Sequence, residues 1–338
     1  MFALTTRRKV VTAVAALSAA ALLASCSSTA PDSTSTSSSG GAFPVTIANT
    51  FGSSTIEATP ERLVTLGWNA QDVMYALGAT PVGMPKYTYG AEANGVMPWL
   101  QEKFDPSKTT LLDAAASTPV EAIATLSPDA ILAPYEGFDK ATYDQLSAVA
   151  PTVAYPGKAW QTTWQDQTKL IGQALGKSDE ATDLIDGMNT MLADTAAAHP
   201  EYAGKTLSVI NLDTTNRQVN VYKPTDPRVQ ILTQLGFVNS PGVEMLAASS
   251  DPDNFFVDIS AERISEVDAD VVVVFVSDTA EAAKNPAYAS LGTVKRGTAV
   301  ALSDTKIIAG LSQTSVLATP WVIDQLTPQL TEAAKRAA

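Results

Sequence analysis

Short apolar runs alternate with amphipathic segments over the first half of the chain. Residues 63–66, 81–84 and 130–133 are apolar runs that predict buried strands, and residues 44–47 and 54–57 predict a short hairpin before them. Residues 72–77, which end at Gly78, and residues 119–126 predict helices. Short apolar strands that alternate with helices are typical of a parallel sheet covered on both faces. We therefore expect an α/β lobe here.

The pattern changes to helix alone between residues 160 and 198, with a break at Gly176 and Lys177. Ser178 is the expected N-cap of the second helix, and apolar residues then recur at spacings of three and four. At about 1.5 Å per residue this helix is roughly 30 Å long. That length is sufficient to bridge two lobes.

Strand and helix patterns alternate again after this helix. Residues 207–212 and 271–275 predict strands, 229–235 and 261–267 predict helices, and an amphipathic helix begins near Pro320. The segments that follow Glu121 and Glu262 repeat the same offsets to an isoleucine, a second apolar residue and an aspartate. The fold class expected is α/β, with two parallel-sheet lobes joined by a single long helix and a ligand cleft between them.

The N-terminus has the layout of an export signal. Arg7, Arg8 and Lys9 precede an apolar, alanine-rich run that ends before Cys26, the only cysteine of the chain. Small residues before a lone cysteine resemble the bacterial lipobox, which implies a lipid anchor at Cys26 on the extracytoplasmic face of the cell membrane; the export route, general or twin-arginine, stays open. The expected divisions are a signal peptide (1–25), a Ser/Thr-rich tether (26–42), an N-terminal lobe (43–177), a linking helix (178–199) and a C-terminal lobe (200–338).

Charge and composition disfavour several functions. Loss of residues 1–25 removes three basic residues and no acidic ones, so the net charge falls from −13 to −16, which disfavours nucleic acid as a partner. His199 is the only histidine, which disfavours a histidine-activated nucleophile and a histidine-rich metal site. The chain also lacks a Gly-x-Ser-x-Gly, His-Glu-x-x-His or phosphate-loop motif, so a secreted hydrolase is a disfavoured alternative. A purely structural surface lipoprotein is the third possibility.

Several stretches together resemble the substrate-binding proteins of iron-siderophore, haem and cobalamin import systems, and most of all the ferric-siderophore-binding lipoproteins of high-GC Gram-positive bacteria. The resemblance implies a monomeric, non-enzymatic protein without a resident cofactor, which delivers a ferric siderophore to the permease subunits of an ABC transporter; haem or cobalamin is the alternative ligand. The stretches that carry it are 62–68, 76–83, 121–132, 160–164, 222–236, 255–274 and 320–326.

Ligands of α/β lobes bind beyond the carboxyl ends of the strands, so the candidate site residues are those that follow each strand. In the first lobe these are Trp68, Asn69, Tyr135 and Trp160. The alternative for Trp68 is a structural role at the edge of the hydrophobic core. Tyr87, with Tyr89 and Trp99, lies in a long polar segment and either rims the cleft or anchors the loop.

In the second lobe Arg217 follows the first strand, where its guanidinium would bind a carboxylate or a ferric chelate. An equally weighted alternative is that Arg217 is a solvent-exposed residue of a hairpin. Tyr222 closes the same loop, and Asn254, Phe255 and Ser277 complete the opposite wall. Aromatic residues with few cations suit a preformed chelate better than bare Fe(III), and favour a hydroxamate or citrate-type chelate over a catecholate.

Glu121 and Glu262 occupy matching positions in the two lobes. The resemblance implies that each docks into an arginine pocket of the permease. Two structural alternatives exist, since Thr118 and Glu121 have the spacing of a capping box, and Glu262 would complement a helix N-terminus.

Overall fold

The computed structural model describes residues 43–114, 116–213 and 218–337, and residues Gly41–Ala338 form one compact unit. The first part of this unit is built on a five-stranded sheet with the order β5-β4-β3-β6-β7, in which every pair is parallel. We call this part the N-lobe. Its elements are β1 (Val45–Asn49), β2 (Gly52–Ile56), β3 (Leu63–Thr65), α1 (Ala70–Ala76), β4 (Gly83–Pro85), β5 (Thr110–Leu112), α2 (Val120–Thr125), β6 (Ala130–Ala133), α3 (Lys140–Ser147) and β7 (Thr152–Ala154).

Strands β3 and β6 are buried along their whole length, as expected for a parallel sheet with both faces covered. The predicted hairpin is present as the antiparallel pair β1 and β2.

Two helices follow the N-lobe sheet, α4 (Trp164–Leu175) and α5 (Ser178–Ala198). Gly176 ends α4 in the left-handed region, with φ of +67°, which glycine adopts without a steric penalty. The N-cap of α5 is Lys177, so Ser178 is its first helical residue and not its cap as predicted; no side chain caps this end. With 21 residues, α5 is about 30 Å long.

The C-lobe, the part after α5, is built on a sheet with the order β11-β9-β8-β12-β13, with β10 paired to β8. The predicted two-lobe α/β class is confirmed, but this sheet is mixed: β9 is antiparallel to both β8 and β11. The elements are β8 (Thr206–Asp213), β9 (Gln218–Tyr222), α6 (Pro227–Gln234), β10 (Val238–Asn239), α7 (Pro241–Ala248), β11 (Phe256–Ser260), β12 (Val271–Phe275), α8 (Thr279–Lys284), α9 (Pro286–Ser290), α10 (Gly292–Arg296), β13 (Ala299–Leu302), α11 (Thr305–Ser312) and α12 (Ala318–Arg336). Residues Ala261–Val267, predicted as a helix, form a 3-10 helix.

The two lobes meet along α11 and the segment between α11 and α12. The Asn69 side-chain amide donates to the backbone oxygen of Thr314 at 2.8 Å, and Lys306 pairs with Glu92 at 2.7 Å. These contacts bring the carboxyl ends of the N-lobe strands against the C-lobe. Within the described ranges, no helix has both the length and the apolar character needed to cross a membrane.

Candidate ligand-binding cleft

Three aromatic side chains form the N-lobe wall of an interlobe cavity. Trp68 follows β3, and Tyr135 follows β6; the Tyr135 and Trp160 rings meet edge to face with centroids 5.8 Å apart. Trp68 and Trp160 also meet edge to face, at 6.4 Å. Gly67 allows this arrangement, because its φ is +79° and a Cβ there would collide with the backbone oxygen of Tyr135.

Trp160 has a strained backbone, with a φ of +60° that bulky residues rarely adopt. A side chain at Gly137 would collide with the Trp160 indole, so the ring depends on a glycine opposite it. Such strain persists only where the surrounding structure enforces it, and it is concentrated at functional sites. The fold therefore holds Trp160 against the cavity.

The C-lobe wall is organised around Arg228 in the first turn of α6. Asp226, the N-cap of α6, accepts from the backbone N–H of Arg228 at 2.9 Å. The same carboxylate accepts from Arg228 Nε at 2.8 Å and from Nη2 at 2.7 Å, a bidentate pair. The guanidinium stacks on the Tyr222 ring, with Cζ 3.9 Å from the ring centroid. The guanidinium is therefore fixed in position before any ligand arrives.

The two walls enclose a cavity of about 280 Å³, which we call the central cavity. It adjoins an N-lobe cavity of about 570 Å³ and a C-lobe cavity of about 500 Å³, and Trp68 lines all three. The N-lobe and C-lobe cavities each lie in the range of small-molecule sites, which are typically about 300–1,000 Å³, and the central cavity is close to the lower limit of that range. The central cavity is lined by Trp68, Tyr135, Trp160, Asn220, Tyr222, Arg228, Phe255, Phe256 and Ser312.

Burial controls the protonation of the tyrosines in this cavity. It raises the pKa of Tyr135 and the pKa of Tyr222 above the ordinary value, although the nearby Arg228 partly offsets both shifts. The pKa of Arg228 is also raised, because its attraction to Asp226 outweighs the cost of burial. At neutral pH the site thus offers protonated phenols and a guanidinium, which are hydrogen-bond donors.

The structure brings together five of the candidate residues: Trp68, Tyr135, Trp160, Tyr222 and Phe255 line the central cavity. Tyr87 lines the N-lobe cavity, and its hydroxyl donates to the backbone oxygens of Gly67 and Trp68 at 2.8 and 2.9 Å. Tyr87 is thus both a cavity residue and an anchor for the loop that carries Trp68.

Other candidates lie elsewhere. Asn69 is fully buried in the interlobe contact with Thr314, and Asn254 is exposed; neither lines any of the three cavities. Arg217 and Cys26 lie outside the described residues.

Glu121 and Glu262 are exposed at the starts of α2 and of the 3-10 helix. The capping box considered for Glu121 does not form, because the N-cap is Pro119 and no side chain caps this helix.

Arg228 and its partner Asp226 were not among the site residues predicted from the sequence. The only local signal is Asp226-Pro-Arg228, which also reads as an ordinary helix start with Pro at its first position. Ser312 and Asn220 were missed as well, and both line the central cavity.

Polar contacts join the two lobes next to Trp160. Lys158 Nζ donates to the backbone oxygen of Pro252 at 2.7 Å and pairs with Asp253 at 3.0 Å. The Gln161 side chain donates to the backbone oxygen of Asp253 at 2.8 Å. These residues flank Trp160 in one lobe and precede Phe255 in the other, so we call these contacts the cleft clasp.

A cleft of this kind between two α/β lobes is typical of proteins that bind a solute, and comparison with known proteins supports this class. Residues 63–304 match the Periplasmic binding protein family, and the chain belongs to it. Members of this family are solute-binding proteins.

Three known proteins illustrate the similarity. The probable siderophore-binding lipoprotein YfiY of Bacillus subtilis is 32% identical over 73% of this chain and 74% of its own length. The crystal structure of PiaA from Streptococcus pneumoniae, in complex with ferrichrome, is 31% identical, with a TM-score of 0.79 over 87% of this chain and all of that one. A periplasmic solute-binding protein from Mycobacterium smegmatis is 30% identical, with a TM-score of 0.73 over 86% of this chain and 98% of that one.

Proposed function

We propose that this protein captures a ferric siderophore outside the cytoplasm and delivers it to the permease of an ABC-type importer for iron uptake. The observation that carries the proposal is the central cavity, in which the aromatic N-lobe wall faces the fixed guanidinium of Arg228. Flat aromatic surfaces with few fixed polar groups suit a bulky, preformed chelate. The names of YfiY and of the PiaA complex, a siderophore-binding lipoprotein and a ferrichrome complex, support the same ligand class.

Iron would enter as cargo that is already coordinated by the siderophore. The phenols of Tyr135 and Tyr222 stay protonated at neutral pH, so they offer hydrogen-bond donors to a chelate. Among the described residues, no cluster of three or more His, Cys, Asp or Glu side chains is placed to hold a bare metal ion. The protein would thus contact the outer surface of the chelate.

Delivery and anchoring complete the proposal. Glu121 and Glu262 would be the two docking contacts for the permease, since both are exposed at the start of a helix on opposite lobes. Cys26, which lies outside the described residues, would carry the lipid that holds the protein at the cell membrane. A Cys26→Ser protein should accumulate in an unlipidated, unprocessed form with altered gel mobility.

Tryptophan fluorescence of the purified mature protein in detergent tests ligand capture. The titration panel would contain ferrichrome, ferric citrate, ferric enterobactin, haem and cyanocobalamin. Saturable quenching by a ferric siderophore is expected, and Trp160→Phe should reduce its amplitude. Trp321→Phe is the matched control, since Trp321 packs on Trp99 and lines none of the three cavities. Quenching by haem or cyanocobalamin alone, or by no member of the panel, would contradict the proposal.

A further inference from the structure

The charges around the three cavities are nearly balanced. Among the described residues that line them, the charged side chains are Arg228, Lys86 and Glu136. Asp226 lies behind Arg228 and pairs with it. Counted together with Asp226, the described walls therefore hold two cations and two carboxylates, without a surplus of positive charge.

The positive charge of Arg228 is largely neutralised by the carboxylate of Asp226. Asp226 is fully buried and the guanidinium is nearly so, so water screens their attraction little. An anionic ligand that approached Arg228 would also approach the Asp226 carboxylate behind it. Arg228 would then act toward a ligand as a hydrogen-bond donor more than as a free cation.

The donors that remain on Arg228 support this role. A guanidinium has five N–H donors. Two of them point to Asp226, and one is directed at Ser312 Oγ, with Nη1 and Oγ 3.4 Å apart. Two N–H groups are therefore left for the cavity, which matches neutral acceptors such as the carbonyl-type oxygens of a metal-bound hydroxamate.

Glu136 adds a carboxylate to the opposite lobe. It directly follows Tyr135, lines the N-lobe cavity together with Trp68 and Trp160, and accepts from the backbone N–H of Gly137 at 2.9 Å. A polyanionic ligand seated between the tryptophans would face this group across the N-lobe cavity.

From this arrangement we infer that the cleft selects ferric chelates without net negative charge, ferric hydroxamates as a class, and that Asp226 and Glu136 are the side chains that reject polyanionic chelates. The inference rests on the proposed function. Three hydroxamates cancel the charge of Fe(III), whereas three catecholates leave a trianion. Enclosing a trianion removes it from water, which is unfavourable unless uncommitted cations replace the water.

The experiment measures dissociation constants by fluorescence quenching, with the mature protein in detergent, for ferrichrome, ferric citrate and ferric enterobactin. The wild type should bind ferrichrome at least about tenfold more tightly than either anionic chelate. We define the selectivity ratio as the dissociation constant of an anionic chelate divided by that of ferrichrome. Asp226→Asn should lower this ratio by about tenfold, because it leaves the Arg228 charge without its partner, while asparagine remains a good N-cap for α6. Glu136→Gln should also lower the selectivity ratio.

Asp186→Asn is the control, because Asp186 is exposed on α5 and lines none of the three cavities, so its ratio should equal that of the wild type. Circular dichroism identifies variants that have not folded. If Asp226→Asn fails to fold, the selectivity ratio of Glu136→Gln alone tests the inference. Equal affinity of the wild type for ferrichrome and ferric enterobactin would overturn the inference and leave the proposed function intact. A selectivity ratio that is unchanged in the folded variants would also overturn the inference and leave the proposed function intact. Failure of every chelate to bind would overturn the proposed function, and the inference with it.

Discussion

The carboxyl group of Asp72 is the most unusual titratable group of the interlobe contact. It is fully buried in the first turn of α1 and accepts hydrogen bonds from Trp99 Nε1 at 2.7 Å and from Ser315 Oγ at 2.6 Å. Gln71 Nε2 donates to its other oxygen at 3.1 Å. Ser315 belongs to the segment between α11 and α12, so this one carboxyl group joins the two lobes.

Burial raises the pKa of Asp72 from its ordinary value of 3.8 to about 7, although its three hydrogen bonds lower it in part. Between these two values the folded protein holds a proton on Asp72 that the unfolded chain releases. The stability contributed by this group is therefore complete below pH 3.8 and is lost as the pH rises through about 7. At 1.36 kcal/mol for each pH unit between the two values, the loss is at most about 4 kcal/mol.

Asp72→Asn should remove this dependence, because the amide has nearly the same size, never ionises and keeps an oxygen acceptor for Trp99 and Ser315. The assay is urea unfolding of both proteins between about pH 4 and about pH 8. The free energy of unfolding of the wild type, minus that of the variant, should fall by a few kcal/mol as the pH rises. Asp186→Asn, an exposed carboxylate, should give a difference that changes by less than about 0.5 kcal/mol. A flat or rising difference for Asp72→Asn would refute the reasoning.

Three further predictions concern the cleft and its partner. Lys158→Ala removes the two Lys158 contacts of the cleft clasp and should increase the ligand dissociation rate severalfold in stopped-flow fluorescence, while the melting temperature changes by only a few degrees, because an exposed ion pair contributes at most about 1 kcal/mol; an unchanged rate would show that these contacts do not retain ligand. Gly137→Ala should displace the indole of Trp160 and weaken chelate binding by about tenfold or more, and an unaltered titration would disprove the need for glycine there. Combined Glu121→Ala and Glu262→Ala changes should abolish siderophore-dependent iron uptake by cells while chelate affinity in solution stays the same; normal uptake would remove the docking role.

The aromatic wall of the N-lobe was predictable because strand ends can be located in the sequence. Trp68 and Tyr135 directly follow apolar runs, and the carboxyl ends of parallel strands meet at one edge of a sheet. Arg228 could not be predicted in the same way. It lies in a helix start, and its position in the cleft depends on the approach of Tyr222 and of Ser312, which is 84 residues away in the sequence.

The burial of Asp72 and the mixed sheet of the C-lobe could not be predicted from local sequence either. In the sequence Asp72 reads as a solvated acid in the first turn of a helix, and only Ser315, 243 residues later, reveals that it is buried. Strand β9 alternates buried and less buried residues, as an antiparallel strand with one covered face does, but it is too short to be distinguished from a loop. The mixed sheet therefore arises from pairing that local pattern does not encode.

The most direct test of the central claim is the position of iron in crystals of the protein grown with ferrichrome, located by anomalous X-ray scattering at the iron edge. One iron peak is expected inside the central cavity, with Trp160 on one side and the Arg228 guanidinium on the other. An iron peak outside this cavity, or no peak in crystals saturated with ferrichrome, would contradict the assignment of this cleft as the ferric-siderophore site.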